Sequence, residues 1–175
     1  ELALGAQARF FARLGGNSPK EMTELFIQAQ KFKGTSLIEI LQNCVIFNDG
    51  CFTQYTDKKV KEDKQLFVEH GKKMIFGKER DKGLVLNGLK IEVVTIGENG
   101  VSEDDILVHD AKCEDTTLQQ MLVKLEYPLV TGIIRSYEDE LFEEREARLT
   151  EDVRKNSKFS SVDELFLSGE TYEVK

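Results

Sequence analysis

The spacing at which hydrophobic residues recur changes several times along the first fifty residues. Residues 2–8 predict the end of a helix, and residues 9–14 predict a short strand. Apolar side chains then recur at helical spacing over residues 22–29, and residues 35–42 alternate like a buried strand. The order α-β-α-β with short connections predicts an α/β fold in which helices cover a parallel sheet.

The second of these helices carries the clearest local signal in the chain. Ser18-Pro19-Lys20-Glu21 has the pattern of a capping box with proline at the first helical position. The turn Gly15-Gly16-Asn17 precedes it, and Gly34 is placed to end the helix. We therefore expect a helix that begins at about residue 19 and returns the chain to the start of the next strand.

The pattern changes after Gly50, where residues 57–82 become crowded with lysines interleaved with acids. We interpret residues 51–100 as a Lys-rich insertion with a helix near 59–70. A hairpin follows that turns at Asn87-Gly88, a dipeptide typical of tight β-turns. This segment is expected to extend from an α/β core piece formed by residues 1–50.

Residues 101–137 return to the core pattern. We expect a short strand and loop over 104–110, an amphipathic helix over 118–125 that ends before Tyr127-Pro128, and a strand over 130–134. Acidic residues dominate from Glu138 onward, and residues 138–175 are predicted to be an acidic tail with one short helix. Such a tail is expected to pack on a neighbour rather than form its own core.

Composition narrows the functional classes. The 175 residues include 24 basic and 32 acidic side chains, so the formal net charge is −8. This acidic balance argues against nucleic acid, and no apolar run approaches the ~20 residues needed to cross a bilayer. Three cysteines form no disulfide framework, which favours a reducing cytoplasm. The chain begins without Met inside a predicted helix, so we expect sequence upstream of it.

Cys44 is the principal candidate for chemistry. It follows the predicted strand over 35–42 and opens a turn-rich loop, at the edge where α/β sheets place ligands and cofactors. A thiolate there is suited to bind a metal or an iron–sulfur cluster, but one cysteine needs ligands from elsewhere. The alternative is a buried, packed cysteine, which the residues alone favour.

The order of several segments resembles the β subunit of 2-oxoacid:ferredoxin oxidoreductases. In the first half these are Leu2–Ala6, Phe11-Ala12-Arg13, the capped helix, Lys33-Gly34, Leu37–Gln42 and Cys44–Asp49. In the second half they are His109-Asp110, the helix to Leu125, Tyr127–Ile133 and Leu167–Val174. The resemblance covers nearly the whole chain, and the ending around Gly169–Val174 looks more like the 2-oxoglutarate type than the pyruvate type.

The resemblance implies a C-terminal part of a thiamine-diphosphate-binding fold. In that family the β subunit binds thiamine diphosphate and Mg²⁺ and carries a [4Fe–4S] cluster. The family pattern places three cluster cysteines and the Gly-Asp-Gly cofactor stretch upstream of this chain, and the fourth cysteine at the position of Cys44. Val45, Ile46 and Phe47 would then form an apolar wall that limits water. This chain departs from the pattern at Asn43, where proline is usual, and at Phe32, where histidine is frequent.

The implied activity is oxidative decarboxylation of a 2-oxoacid to an acyl-coenzyme A, with electrons passed to ferredoxin. The complete complex would include an α subunit, whereas this chain alone is expected to be inactive and to hold no cofactor; it contributes no catalytic residue. Lys20 and Lys33 are candidates for guiding acidic ferredoxin. The alternatives are a piece of a non-redox thiamine enzyme and a non-catalytic α/β interaction domain.

Five other residues receive structural interpretations. Cys51 and Cys113 are treated as incidental thiols. His109 and Asp110 are adjacent in a predicted strand, so their side chains are expected to point apart and anchor a loop rather than act together. His70 is interpreted as a cation at a helix C-terminus.

Overall fold

The computed structural model describes every residue except Asn17, Thr171, Glu173 and Lys175. The predicted turn Gly15-Gly16-Asn17 and the ending Gly169–Val174 therefore lie partly outside the described residues. The described chain divides into two compact units, Glu1–Glu138 and Asp139–Lys175. Each unit is described below by itself.

The first unit is built on a four-stranded sheet of mixed direction. Its strands, in spatial order, are β2 (Ser36–Leu41), β1 (Phe10–Gly15), β7 (Leu129–Ser136) and β3 (Gln65–Val68). β1 pairs parallel with β2, and β3 pairs parallel with β7. β1 and β7 run antiparallel, however, so the prediction of a parallel sheet is correct only for its two outer pairs.

Apolar side chains leave the main sheet on both faces. One face buries Phe11, Leu66, Val130 and Ile134 in the larger core cluster. The other face buries Phe10, Ala12 and Leu14 against Leu25 of the covering helix. Both faces of β1 are buried, which is why apolar residues stand next to one another at positions 10, 11, 12 and 14 instead of alternating with polar ones.

Three helices accompany this sheet. They are α1 (Leu2–Gly5), α2 (Pro19–Lys31) and α5 (Thr117–Lys124). α2 begins with proline at its first position as predicted, but the capping box does not form. Lys61 Nζ instead donates to Ser18 Oγ at 2.6 Å and lies 3.1 Å from Glu21 Oε2, so a distant lysine occupies both acceptors.

The predicted helix over 59–70 is wrong. The region holds two single-turn helices, α3 (Thr53–Thr56) and α4 (Lys61–Lys64), and then β3. β3 is an edge strand of the main sheet, with Leu66 and Val68 buried and Phe67 half-exposed on the opposite face. The surrounding lysines hid this four-residue alternation, so residues 51–100 contain a core strand as well as the insertion.

The Lys-rich segment also forms a second sheet of three antiparallel strands, β4 (Ile75–Phe76), β5 (Lys82–Asn87) and β6 (Lys90–Thr95). The predicted hairpin is confirmed, although Gly88 and Leu89 form its two-residue loop. Gly88 has φ +59, as a glycine at the first loop position of a type II′ turn requires. The strand predicted over 104–110 is wrong, because that stretch contains a 3₁₀ turn at Glu103–Asp105 and a single bridge between Lys73 and Val108.

The second unit contains two helices, α6 (Phe142–Asn156) and α7 (Val162–Phe166). The sequence predicted only one short helix in this region, and α6 was missed because acidic side chains obscure its narrow apolar stripe. Across the described part of the chain, no helix is both long and apolar enough to span a membrane.

Candidate functional site

The site predicted from the sequence lies just beyond the carboxyl end of β2. β1 and β2 are parallel and in register from Phe10 and Ser36 to Gly15 and Leu41, so their carboxyl ends meet at one edge of the sheet. Cys44 follows β2 by three residues and therefore lies at this edge. The position agrees with the prediction, and it is where open α/β sheets commonly bind ligands.

Asn43 closes the loop that carries Cys44. Its Nδ2 donates to Asp49 Oδ1 at 2.8 Å, and its Oδ1 accepts the backbone N–H of Gly50, also at 2.8 Å. Asn48 N donates to the Cys44 carbonyl at 2.9 Å inside the loop. Asn43 thus ties the two ends of the segment 43–50 together, so the loop is held by hydrogen bonds where the family pattern has proline. The sequence analysis had missed this role.

The Cys44 thiol is exposed and faces backbone donors. N–H groups of Phe47 and then Ile46 direct hydrogen bonds to its sulfur and lower the pKa of the thiol from its ordinary value. Desolvation opposes this effect but is the weaker influence, as expected for an exposed side chain. The alternative of a buried, packed cysteine is therefore wrong, and the loop favours a thiolate.

We expect alkylation of Cys44 by iodoacetamide to have a pH midpoint below the value of about 8.5 typical of a free cysteine. A lowered pKa places the thiolate form at lower pH, so the rate profile shifts to the acid side. Asn43→Ala should move the midpoint back toward higher pH, because the loop that aims the two N–H groups loses both of its closing hydrogen bonds. Mass spectrometry of the Cys44 peptide against pH measures this. Identical profiles for the two proteins would contradict the role given to Asn43.

The apolar residues after Cys44 do not form a wall within this chain. Val45, Ile46 and Phe47 are 74%, 81% and 90% exposed. Such side chains, adjacent in sequence and all exposed, form an apolar surface that typically marks a contact with another part of an assembly. Any exclusion of water from the sulfur therefore needs a second surface.

A pocket of about 250 Å³ opens beside the cysteine loop. It lies between the carboxyl ends of β1 and β2 and helix α3, with Gly16, Gln42, Asn43, Thr53 and Thr56 among its lining residues. The lining carries hydroxyl and amide groups but no charged side chain. It therefore does not fit thiamine diphosphate with Mg²⁺, which requires charged oxygen ligands for the cation.

The fit of an iron–sulfur cluster is partial. Cys44 has the features of one cluster ligand, namely an exposed sulfur, a lowered pKa and backbone N–H groups directed at it. The residues that the structure describes contain no group of three or more His, Cys, Asp or Glu side chains able to hold a metal ion. Cys51 and Cys113 therefore complete no such set with Cys44, and a cluster at Cys44 needs ligands from outside this chain.

The two candidate lysines lie at opposite ends of α2. Lys20 is in the first turn of α2, which follows the carboxyl end of β1, and so lies at the same edge of the sheet as Cys44. Lys33 follows the end of α2 and precedes β2, which places it at the opposite edge. Both are exposed. α2 has thirteen residues and is about 20 Å long, so the two lysines are about that far apart.

The chain has two histidines, His70 and His109. His109 is buried, its Nε2 lies 2.9 Å from the Ile133 carbonyl oxygen, and burial lowers its pKa. Asp110 instead lies 3.3 Å from His70 Nδ1, so His109 and Asp110 do not act together, in line with the loop-anchoring interpretation. His70 follows β3 rather than a helix, so its interpretation as a helix-terminal cation is wrong.

Sequence analysis overlooked a buried arginine in the same unit. Arg135 on β7 is 2% exposed, and its guanidinium donates to the carbonyls of Cys113 and Glu114 and to Gln119 Oε1. These bonds hold the segment before α5 in place. The available signal was an arginine directly after the apolar strand predicted over 130–134, since an arginine that continues such a strand is rarely buried unless it is paired.

Comparison with curated proteins finds a similar chain in Mycobacterium tuberculosis, the 2-oxoglutarate oxidoreductase subunit KorB. The identity is 36% over 124 residues, which cover 71% of this chain and 32% of the relative. This chain thus spans about a third of the length of the relative that it matches. No protein-family model matches the chain, and no solved structure matches it.

Proposed function

The chain is a relative of the β subunits of 2-oxoacid:ferredoxin oxidoreductases, as its sequence predicted, and we propose that it is part of such a subunit in an acyl-coenzyme A-forming enzyme. The observation that carries this proposal is the 36% identity to a 2-oxoglutarate oxidoreductase subunit. The same relative favours 2-oxoglutarate as the substrate. A cytoplasmic location accords with this assignment and with the three unpaired thiols.

In this proposal Cys44 supplies one ligand to a [4Fe–4S] cluster whose other three cysteines lie outside the chain. The cluster, when bound, accepts and passes single electrons. The contribution of this chain is electrostatic, because the N–H groups of Phe47 and Ile46 stabilise negative charge on the Cys44 sulfur. Asn43 keeps these donors in place by closing the loop.

Thiamine diphosphate and Mg²⁺ would bind through other parts of the complete subunit, since the pocket beside the cysteine loop lacks the charged ligands that they need. The exposed residues Val45–Phe47 would be covered in the assembled enzyme by the rest of the subunit or by an α subunit. This covering would exclude water from the sulfur. The chain alone therefore remains without activity in this proposal.

The proposal is tested on the complete enzyme, purified without oxygen together with its partner subunits. We expect reduction of ferredoxin or of a viologen dye that depends on both coenzyme A and 2-oxoglutarate, with slower turnover of pyruvate. Decarboxylation with no electron transfer to either acceptor would instead favour the non-redox thiamine enzyme. Absence of any thiamine-dependent reaction in the assembled complex would favour the interaction domain.

Charge reversal distinguishes the two lysines proposed to guide ferredoxin. Lys20→Glu should reduce the rate of ferredoxin reduction about tenfold at low ionic strength, because Lys20 lies at the edge of the sheet that carries Cys44. Lys33→Glu makes the same change in charge at the opposite edge and should have a smaller effect. Stopped-flow reduction of ferredoxin measures both rates.

Viologen reduction provides the control for this comparison, since a small dye does not depend on the ferredoxin docking surface. Both variants should retain the wild-type rate with viologen. Equal loss with ferredoxin and viologen in Lys20→Glu would contradict the docking role. An equal effect of the two substitutions on ferredoxin alone would show that general charge, rather than position, governs the encounter.

A further inference from the structure

His109 lies where the Lys-rich insertion meets the main sheet. Its backbone N–H donates to the Lys72 carbonyl at 2.9 Å, and its own carbonyl accepts the N–H of Gly71 at 2.8 Å. Its side-chain Nε2 lies 2.9 Å from the carbonyl oxygen of Ile133 on β7. One residue therefore joins the segment that leads into β4 to a strand of the main sheet. We call these three hydrogen bonds the His109 junction.

The Ile133 carbonyl determines which nitrogen of His109 carries a proton. A carbonyl oxygen only accepts hydrogen bonds, so Nε2 is the donor, and Nδ1 of the neutral imidazole is then an unprotonated acceptor. The pairing between β3 and β7 ends at Val68 and Gly132, one residue before Ile133. The His109 side chain thus binds β7 just where β3 stops pairing with it.

The other ring nitrogen of His109 is enclosed. Nδ1 is buried and has no hydrogen-bond partner among the residues that the structure describes, and the residue as a whole is 1% exposed. While the junction is closed, a neighbouring surface does not reach an atom enclosed in this way. Protonation would add a positive charge and a second N–H donor at a site that offers this donor no acceptor. Both changes are costly inside a protein.

The charged groups around His109 do not offset this cost. A positive charge on His70 disfavours a second one on His109, whereas Asp110 favours it. The side chains of His70 and Asp110 are about half exposed and lie 3.3 Å apart, so water and their mutual contact weaken both influences. The insertion contributes Lys72, whose side chain is exposed, and β7 contributes the uncharged Ile133 carbonyl.

Burial is the strongest influence on the protonation of His109. It lowers the pKa of the imidazole below its ordinary value, although the hydrogen bond to Ile133 opposes the shift. The geometry and the electrostatics therefore agree that the closed junction holds the neutral form.

We propose that His109 is a pH-sensitive switch: the neutral side chain holds the His109 junction closed, and uptake of a proton from water at Nδ1 stabilises an open form. Opening separates residues 71–74 from residues 107–109, which are joined by backbone hydrogen bonds in the closed form. The switch acts at mildly acidic pH, where aspartate and glutamate side chains are still ionised. The inference is independent of the proposed function, because it rests on contacts within this chain.

Acidification should therefore destabilise the junction. The pKa of His109 is lower in the closed form than the value of about 6.5 expected in the open form, so below about pH 6.5 the open form binds one more proton. The equilibrium constant for opening should rise about tenfold between about pH 7.5 and about pH 5.5. Above about pH 7.5 it should not change, since both forms are then neutral at His109.

Amide hydrogen exchange of the complete subunit that contains this chain measures the opening constant, once the intrinsic pH dependence of exchange is corrected for. Mass spectrometry should show the rise at the Gly71 amide, which donates to His109, and no rise at the amides of β1. His109→Gln keeps an N–H donor for Ile133 but does not titrate, so its opening constant should stay within about twofold over the same pH range. His70→Gln is the matched control, since it removes the other histidine of this chain and should retain the rise.

A second measurement on the wild-type subunit makes the test independent of whether His109→Gln folds. Exchange of the imidazole C2 hydrogen, followed by mass spectrometry, gives the titration midpoint of each histidine, and that of His109 should lie below about 6.5. A midpoint at or above this value would overturn the inference, and so would a wild-type opening constant that does not change with pH. A rise that persists in His109→Gln and disappears in His70→Gln would overturn it in favour of the pair formed by His70 and Asp110. An equal rise at the amides of β1 would overturn the assignment of the switch to the junction.

Discussion

Under the function proposed above, replacing Cys44 by serine in the complete enzyme should lower coenzyme A-dependent oxidation of 2-oxoglutarate by at least ~100-fold. The estimate follows from the effect of lost outer hydrogen-bond partners of metal ligands, which alone reach about 100-fold. A serine hydroxyl is a poor ligand for iron, and the N–H groups of Phe47 and Ile46 would then face an oxygen that carries no charge. Low-temperature electron paramagnetic resonance of the dithionite-reduced enzyme should show the [4Fe–4S] signal lost or altered.

Cys113→Ser is the matched control, because it removes another exposed thiol from the same unit. Its spectrum, iron content and rate should equal those of the wild type. If Cys44→Ser also kept its spectrum and its rate, Cys44 would be an exposed thiol without a role in the cluster. Loss of rate with an unchanged spectrum would instead indicate that the loop contacts a partner and holds no iron.

The position of Cys44 was predictable because local patterns determine it. The apolar alternation before it and the proline-initiated helix before that are short-range signals, and two parallel strands joined by one helix bring their carboxyl ends to the same edge. The hairpin at Gly88 was predictable for the same reason. Short-range signals of this kind do not depend on contacts with distant parts of the chain.

The errors occurred where tertiary partners override local preference. β3 was interpreted as helix because its lysine-rich surroundings favour helix, whereas pairing with β7 and burial of Leu66 and Val68 decide its structure. The capping box was lost to Lys61, a residue more than forty positions away. Asn43 was recognised from the sequence only as a departure from the family pattern, because its partners, Asp49 and Gly50, come close to it only once the loop has closed.

The β3–β7 pairing that the sequence concealed depends on a glycine. Gly132 on β7 has φ +100, a region that L-amino acids rarely adopt, and it pairs directly with Val68. A Cβ atom at this position would overlap the backbone carbonyl oxygen of Val68. The obstacle is main chain in the sheet rather than a flexible side chain, so relief would require β3 to move away from β7.

Gly132→Ala should therefore lower the free energy of unfolding of the first unit by about 3 kcal/mol or more, combining backbone strain with the steric overlap. For a chain of this size the midpoint of thermal unfolding should fall by roughly 6 °C or more. Gly71→Ala is the matched control, since Gly71 also has positive φ, at +77, but a Cβ there meets nothing within 4 Å. It should cost only the backbone strain, about 1 kcal/mol. Equal losses in the two variants, measured by urea unfolding followed by circular dichroism, would contradict the close approach of β3 and β7.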